Sequence, residues 1–393
     1  MTEVLRRPYL KKLESGKDRT SVIKIITGMR RSGKTVLMKQ YIRRLIESGI
    51  SENNIVYINF ESEKWKYVKE YTRILDYISS KKIEGRMYVF LDEIQFVKSW
   101  EFAVNSLQVD YDADIYITGS NAYFLSSELS TYLSGRYVEL KILPLSFSEF
   151  MELHPGDKEE RFMQYLRRGS LPIINPDGDE SFENDLLTGI FNTVIMEDVL
   201  KHIGKASASV LDDIAKFLFS NVGNVTSCNS IAQVLKEDNK QVRRYIDAMS
   251  DAFLIYKAER YDIRGKKLLD SLEKYYVSDT GIRNAALGIF SREDNSRLIE
   301  NVVYLELIRR GYEVAVGKYG DTEVDFTARR NNDIEYYQIT MSMVSETVYD
   351  REIRPFGFIK DAYPKTILSM DKFLIDTPNG IKHRNVIDWL LEE

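Results

Sequence analysis

The sequence predicts an α/β fold, in which a doubly wound parallel sheet is followed by a helical segment and by a second α/β domain at the C-terminus. Two observations predict the parallel sheet. Apolar runs alternate with helical periodicity from about residue 21 to residue 142, and glycines or acidic residues directly follow several of these runs. The chain of 393 residues also exceeds the usual size of one core, which predicts several domains.

The first predicted strand, residues 21–27, leads directly into a stretch that fits the pattern GxxxxGK[ST], and residues 36–46 read as the helix that follows it. Glycines allow backbone N–H groups to surround phosphate oxygens, and a helix that begins at the lysine turns its positive end towards them. Lys34 is expected to bind the β- and γ-phosphates, and Thr35 to ligate Mg²⁺. The sequence therefore predicts a nucleoside triphosphate site built from Gly28, Met29, Arg30, Arg31, Ser32, Gly33, Lys34 and Thr35.

The next predicted feature is an acidic pair at the end of a second buried strand. Residues 87–91 are apolar and are followed by Asp92 and Glu93. This arrangement predicts that Asp92 holds Mg²⁺ through its water shell and that Glu93 is the general base for an attacking water. The alternative is an ordinary acidic strand end. This is the minority interpretation, because a glycine-rich loop precedes the pair in the sequence.

Small polar residues also follow a third apolar strand, residues 115–118. Ser120 or Asn121 is expected to sense the γ-phosphate, or else the two residues cap the next helix. Further on, Arg136 follows Gly135 and precedes a strand at 138–142. Arg136 is an arginine-finger candidate, in its own chain or for a neighbouring subunit. A solvated surface arginine is the alternative, which spacing alone slightly favours.

Ser146 and Glu149 have the spacing of a capping box, which marks the start of a helix. Mostly helical sequence then runs to about residue 205, and residues 146–205 are predicted to form a helical lid. Three helices follow, at 211–218, 230–235 and 240–249, and the segments 253–258 and 267–269 are expected to pair as a hairpin across Arg264 and Gly265. This order resembles a winged helix, whose third helix can enter a DNA groove. The candidate DNA contacts are Lys240, Arg243 and Arg244 in that helix, with Arg264, Lys266 and Lys267 in the wing.

A packing or interaction module is the alternative for this winged-helix region, because acidic residues such as Asp247 share the third helix.

The C-terminal region is predicted to contain a helix at 298–307 and strands at 312–316, 323–326 and 336–340, an order that resembles a restriction-endonuclease-like fold. In active members of that fold a helix glutamate, a strand aspartate and an E-x-K motif gather Mg²⁺.

Glu300 and Asp325 match the first two positions of that nuclease-like site. Gln338 and Thr340 stand where glutamate and lysine belong, although the Gln338 carbonyl oxygen can still ligate a metal. Lys318 is a candidate substitute for the lysine, but nothing in the sequence positions it. The loss of the lysine removes a cation that stabilises developing negative charge. The domain is therefore predicted to keep the fold and to lack cleavage.

With these residues in view, the chain resembles a prokaryotic AAA-type ATPase family that joins a P-loop domain to a C-terminal domain of poorly known function. The resemblance implies ATP as the nucleotide, and it favours Arg136, in its LSGR setting, as a finger or sensor. The predicted domains are 1–145, 146–205, 206–275 and 276–393. The matching stretches are ITGMRRSGKT, VFLDEIQ, YITGSNAYFLSSELSTYLSGRYVELKILPLSFSEF, KYYVSDTGIRNA, RLIENVVYLELIRRGYEV and EVDF.

Composition limits the class of protein. No apolar run approaches the length of a membrane span and the N-terminus lacks a signal-peptide core, so a cytoplasmic protein without membrane contact is expected. The single cysteine, Cys228, excludes an intramolecular disulfide framework and a multi-cysteine zinc site. A net charge of −5 argues against a generally basic surface, but a local basic patch can still bind nucleic acid.

The leading functional hypothesis is a Mg²⁺-dependent ATPase whose nucleotide cycle repositions the winged helix and the nuclease-like module on DNA. Two alternatives remain open. One is a regulatory or signalling NTPase that acts on a protein partner, and the other is an ATP-controlled nuclease. A homo-oligomer is a further expectation, because AAA-type relatives range from monomers to rings.

Overall fold

The computed structural model describes residues 3–81, 83–122, 135–203, 206–288 and 295–392. The chain divides into two units, which are described separately below. The first comprises Met1–Pro144 with Asp251–Phe253, and the second comprises Leu145–Ser250 with Leu254–Glu393.

The first unit is built on a sheet of five parallel strands in the order β2-β3-β4-β1-β5. The predicted parallel α/β sheet is therefore confirmed. Every residue of β1, β3 and β4 is buried, as expected for strands covered by helices on both faces. The strands are β1 Ile23–Thr27, β2 Ile55–Asn59, β3 Met87–Asp92, β4 Ala113–Gly119 and β5 Tyr137–Lys141, and the helices are α1 Arg7–Ser15, α2 Lys34–Glu47, α3 Thr72–Ser79 and α4 Trp100–Asp110.

Two apolar clusters lie on opposite faces of this sheet. Because side chains alternate along a strand, Ile25 packs in the cluster that contains Trp100, whereas Ile26 packs in the cluster that contains Leu37 and Tyr41. The sheet is therefore held from both sides, and the carboxyl ends of β1, β3 and β4 meet at one edge.

The second unit begins with helices. The capping box predicted from sequence is present, since the Ser146 hydroxyl accepts a hydrogen bond from the Glu149 N–H and the Glu149 carboxylate accepts one from the Ser146 N–H. The described helices are α5 Phe147–Leu153, α6 Lys158–Arg168, α7 Glu180–Thr193, a π-helical stretch Val194–Leu200 with a short turn Lys201–Ile203, α8 Ala208–Ser220, α9 Cys228–Leu235, α10 Asn239–Asp251, α11 Thr280–Leu287, α12 Asn295–Arg309, α13 Glu346–Phe358 and α14 Val386–Leu391.

A sheet of seven strands completes this unit, in the order β12-β11-β10-β9-β8-β6-β7. It mixes parallel and antiparallel pairs, and β6 and β7 form an antiparallel hairpin at one end. The strands are β6 Ile255–Asp262, β7 Lys267–Val277, β8 Glu313–Tyr319, β9 Thr322–Arg330, β10 Asp333–Ile339, β11 Lys365–Ser369 and β12 Lys382–Asn385.

The hairpin differs from its prediction in two ways. Residues 267–269 pair with 260–262, and residues 255–258 pair with 274–277, because the turn brings Asp262 opposite Lys267. In addition, β6 runs parallel to β8, with Arg260 opposite Val316, so the hairpin shares a sheet with the C-terminal strands. The predicted domain limit at 275/276 therefore falls inside strand β7.

Across the described part of the chain, we found no helix with both the length and the apolar character that a membrane span requires.

Candidate nucleotide-binding site

The glycine-rich loop connects the end of β1 to the start of α2. Gly28 has φ 147°, and a Cβ atom at this position would lie 2.3 Å from the carbonyl oxygen of Ile142. Gly33, with φ 100°, is the N-cap residue of α2. Both positions thus require glycine. The loop between them lies at the positive end of α2, which favours binding of phosphate by the loop residues Met29, Arg30, Arg31 and Ser32.

Lys34 is the first residue of α2 and is buried. Its ammonium group donates hydrogen bonds to the carbonyl oxygens of Gly28 (3.0 Å) and Met29 (3.2 Å). It also lies 3.6 Å from Oε1 of Glu93. The side chain therefore crosses the loop that the sequence assigns to phosphate and reaches the acidic pair.

Asp92 lies at the end of β3 and is fully buried. Thr35 Oγ1 donates to Asp92 Oδ1 at 3.2 Å, and Thr118 Oγ1 donates to the same oxygen at 2.7 Å. The other carboxylate oxygen accepts hydrogen bonds from Tyr57 (2.9 Å) and Asn59 (2.7 Å). Burial, and then the charge of Asp92, raises the pKa of Tyr57, so this phenol stays protonated and remains a donor.

A threonine hydroxyl beside an oriented carboxylate fits Mg²⁺, which binds in such sites through one or two protein oxygens, water and substrate phosphates. Thr35 and Asp92 are the residues that would hold the ion.

Glu93 follows Asp92 in a left-handed backbone conformation, with φ 55°. Its N–H donates to Thr118 Oγ1 at 2.7 Å, and its carboxylate accepts from Gln95 at 2.5 Å. Gln95 Nε2 in turn lies 3.3 Å from the Ser120 hydroxyl. Ser120 and Asn121 come after the end of β4, which pairs with β1 through Gly119 and Thr27. All these residues therefore share the edge of the sheet at which β1 enters the loop.

Arg136 directly precedes β5 and lies at the end of the sheet opposite to the carboxyl ends of the strands. Its carbonyl oxygen accepts from the N–H of Ile23, at the start of β1, and its exposed guanidinium is 3.5 Å from Asn105 of α4. The four residue steps from Ile23 to Thr27 span about 13 Å of extended strand. A finger role of Arg136 in the site of its own chain therefore does not fit this geometry. Leu133 and Ser134 of the LSGR motif lie outside the described residues.

Sequence reasoning missed Arg6, which supports the loop from behind. Its buried guanidinium donates to the carbonyl oxygens of Ser32 (3.0 Å) and Leu143 (2.8 Å). It also lies 4.9 Å from the centre of the Tyr9 ring. No spacing rule links residue 6 to the loop, because only the folded sheet brings them together. Tyr57, Asn59 and Thr118 were missed for the same reason.

Comparison with known proteins defines the family. An uncharacterized protein of Haemophilus influenzae is 39% identical, with 99% of each chain covered. An uncharacterized protein of Methanocaldococcus jannaschii is 30% identical over 85% of this chain and 78% of its own. The chain belongs to the family of these two proteins. Residues 20–151 match a family model described as an AAA domain, so the first unit carries an AAA-type nucleotide-binding ATPase domain.

Two further matches extend beyond the AAA-type domain. A model of a domain of unknown function matches residues 159–293 and therefore spans the predicted limits at 205/206 and 275/276. Among solved structures, a signal transduction ATPase with a tetratricopeptide repeat sensor from Pyrococcus horikoshii aligns with 79% of this chain and 46% of its own, at 13% identity and a TM-score of 0.30. A TM-score and a sequence identity this low support no functional conclusion.

The candidate DNA contacts of this AAA-domain protein lie on α10 and in the turn of the β6–β7 hairpin. Lys240 and Arg243 are exposed on α10, and Lys266 is exposed in the turn. Arg244 is partly engaged elsewhere, since its guanidinium donates to the carbonyl oxygen of Ile203 at 2.7 Å. Arg244 thus ties α10 to the preceding helical segment.

A second polar cluster lies in the C-terminal sheet and contains the nuclease-like residues. Glu300 on α12 and Asp325 on β9 both lie near the ammonium group of Lys274 on β7, at 3.2 and 3.9 Å. The Gln338 carbonyl oxygen accepts from the Asp325 N–H at 2.8 Å, and its amide donates to Glu352 at 2.8 Å. The lysine beside these carboxylates is therefore Lys274, which the sequence did not single out, and not Lys318.

Burial and the neighbouring charges of opposite sign act in opposite directions on the pKa values of Asp325 and Lys274 in this cluster. Burial, followed by the charge of Glu300, raises the pKa of Asp325 to about 8, and Lys274 opposes that rise. Burial also disfavours the ammonium form of Lys274, but Glu300, Asp325 and Glu323 together raise its pKa above the ordinary value. Lys274 is consequently a cation throughout the physiological range.

Proposed function

We propose that the protein is a Mg²⁺-dependent ATPase. The observation that carries this proposal is the meeting of Lys34, Thr35, Asp92 and Glu93 at one edge of a parallel sheet, beside a loop of main-chain N–H groups. When bound, Mg²⁺ supplies charge neutralisation to the β- and γ-phosphates.

Each residue of the site has a separate task in this proposal. Lys34 exchanges its carbonyl partners, Gly28 and Met29, for phosphate oxygens and holds the polyphosphate chain. Glu93 accepts the proton of the attacking water, while Gln95 and Thr118 fix its position. Asp92 is held in place by three side-chain donors besides Thr35, and it would hold the metal together with Thr35.

The test compares nucleotide affinity with turnover. Lys34→Ala is expected to lose measurable ATP binding in calorimetry. Glu93→Gln is expected to keep wild-type affinity and to lower turnover by about 10²–10⁴-fold. The exposed Glu63→Gln is the matched control and should behave as wild type. EDTA should abolish turnover and leave the fold intact, and equal turnover of wild type and Glu93→Gln would refute the assigned base.

We further propose that the ATPase cycle acts on DNA, and that α10 and the hairpin turn supply the contacts. The support is the exposure of Lys240, Arg243 and Lys266 on a helix and a hairpin arranged in the predicted order. Phosphate contacts of this kind give affinity that falls steeply with salt.

Fluorescence anisotropy with duplex, junction and single-stranded DNA tests this second proposal. Lys240→Glu/Arg243→Glu should weaken binding about tenfold or more and lower its salt dependence. The control Lys11→Glu/Lys12→Glu makes the same change of charge on exposed positions of α1 and should leave binding unchanged. No affinity of the wild type for any of the three DNA forms, with or without ATP, would exclude the DNA role.

A further inference from the structure

Three carboxylates converge on one buried ammonium group in the C-terminal sheet. Lys274 Nζ lies 3.1 Å from Glu323 Oε1, 3.2 Å from Glu300 Oε1 and 3.9 Å from Asp325 Oδ1. The Lys274 side chain is only 6% exposed. It thus sits at the centre of the residues to which the nuclease-like pattern assigns a metal ion.

The same carboxylates have additional partners within the protein. Glu300 accepts a hydrogen bond from Tyr276 at 2.6 Å, and the second oxygen of Glu323 lies 3.6 Å from the guanidinium of Arg260. The second oxygen of Asp325 accepts from the Ile339 N–H at 2.8 Å. Glu300 Oε1, both oxygens of Glu323 and Asp325 Oδ2 are therefore already in contact with protein donors or cations.

Gln338 is equally unsuited to a metal. Its carbonyl oxygen accepts from the Asp325 N–H and its amide donates to Glu352, whose other oxygen accepts from Arg351. Mg²⁺ requires about six oxygens at roughly 2.0–2.1 Å in an octahedron. Within the described ranges of the chain, no group of three or more His, Cys, Asp or Glu side chains is arranged to hold a metal ion.

A closed surface is not the reason why the cluster is unsuited to a metal ion. An open cleft of about 770 Å³ is lined by Glu323, Asp325, Gln338 and Glu352, so cations from solvent can reach the Glu323 and Asp325 side of the cluster. What excludes a divalent ion is the cation already in place, since a second positive charge beside the ammonium group would be repelled.

We infer that Lys274 takes the place of a divalent metal ion in the C-terminal domain, so that the carboxylate cluster is a metal-free ionic anchor and not a nuclease centre. The anchor joins β7 of the hairpin, through Lys274, to α12 and β9 of the C-terminal sheet. Phosphodiester cleavage that depends on a metal at Glu300 and Asp325 is absent as a consequence.

Mn²⁺ binding to the full-length, nucleotide-free protein, followed by electron paramagnetic resonance, tests this inference. Wild type and Asp325→Asn should bind the same amount of Mn²⁺, because the cluster holds none. Lys274→Met should gain about one Mn²⁺ per chain, and Lys274→Met/Asp325→Asn should lose it again. All four proteins share an unchanged AAA-type site, so any Mn²⁺ bound there cancels in the comparison.

Thermal unfolding gives the second readout. Lys274→Met leaves buried carboxylates without their cation and should lower the melting temperature by about 5–10 °C, a loss that Mn²⁺ partly reverses. Lys318→Met, on the neighbouring strand β8, is the matched control and should change neither property.

Two results would overturn the inference. One is more Mn²⁺ on wild type than on Asp325→Asn, which would mean that the cluster holds metal with Lys274 in place; this comparison stands even if Lys274→Met fails to fold. The other is a folded Lys274→Met that gains no Mn²⁺.

Discussion

At the scale of single residues, the position of the phosphate-binding loop depends on Arg6. One buried guanidinium bridges the loop, at Ser32, to Leu143, two residues beyond β5. Hydrogen bonds to a charged group contribute roughly 1.5–3 kcal/mol each, and more is lost when a buried acceptor is left without its donor. Arg6 is therefore a positioning residue for the loop.

Arg6→Ala is expected to weaken ATP binding about tenfold, because the loop loses its support and must be ordered by the nucleotide. The free energy of unfolding should fall by about 2–3 kcal/mol. Calorimetry and thermal unfolding measure the two effects. Arg7→Ala, at the exposed neighbouring position, is the control. Unchanged ATP affinity in Arg6→Ala would show that the loop holds its shape without this contact.

His383 shows how burial sets the charge of a single side chain. Its Nδ1 accepts from the Ile375 N–H at 2.9 Å, so Nε2 carries the proton towards the Ser369 hydroxyl at 2.8 Å. Burial lowers the pKa of His383 below its ordinary value of 6.5, and the charge of Asp371 opposes this only in part. The imidazole is thus neutral in the folded protein.

Since the folded pKa is lowered, the unfolded chain takes up a proton first as the pH falls below about 6.5. Stability contributed by neutral His383 is therefore present above that pH and is lost below it, by up to about 1.4 kcal/mol per pH unit. Melting temperatures between pH 7.5 and 5 should fall less steeply for His383→Gln than for wild type. Identical slopes would show that folding does not lower the pKa of His383.

At the scale of elements, α11 and α6 are joined through their termini. Asp279 caps α11 by accepting from the Ile282 N–H, and its other oxygen accepts from the Ser170 N–H at 2.6 Å, just beyond α6. Asn284 donates to the carbonyl oxygens of Leu166 (3.1 Å) and Arg167 (2.9 Å). The terminal groups of both helices are thereby satisfied within the protein.

This junction leaves no room for a side chain on Gly281. A Cβ atom there would lie 2.1 Å from the carbonyl oxygen of Arg168. Gly281→Ala should separate the helices and lower the free energy of unfolding by about 1–3 kcal/mol. Gly189→Ala is the matched control in α7, where the space is open, and it should stabilise by about 0.5–1 kcal/mol. A Gly281→Ala protein as stable as wild type in denaturant unfolding would contradict the tight approach.

At the scale of the whole molecule, Arg136 lies away from the nucleotide site of its own chain, at the end of the sheet where β1 begins. Arg136 is exposed at the far edge of the sheet, where the site of another subunit is the remaining candidate for a finger role. Such a role requires an oligomer in which each site is completed by a neighbour.

Mixing two slow variants tests whether Arg136 completes the site of a neighbouring subunit. If Arg136 acts on a neighbouring subunit, Arg136→Ala and Glu93→Gln should each hydrolyse ATP slowly, and their mixture should recover part of the wild-type rate. Light scattering of Glu93→Gln with ATP should show the oligomer directly. A mixture no faster than the mean of its components would exclude a role of Arg136 on a neighbouring subunit.

The sequence by itself determined the local features of this protein. The strand, glycine loop and helix around Lys34, the acidic pair at Asp92 and Glu93, and the Ser146 capping box each depend on neighbours within a few residues, which a sequence pattern records directly. The predicted order of three helices, at 211–218, 230–235 and 240–249, followed by a hairpin also rests on local periodicity. These features were found without tertiary information for that reason.

Only the tertiary structure decided which distant residues meet. Arg6 reaches the loop across 26 residues of sequence, Arg136 lies at the end of the sheet away from the loop, and Lys274 occupies the centre of the nuclease-like cluster. The hairpin register and its pairing with β8 likewise follow from the turn and from a parallel partner some 50 residues away. Strand order and register are set by packing over the whole sheet, and no local spacing of residues encodes them.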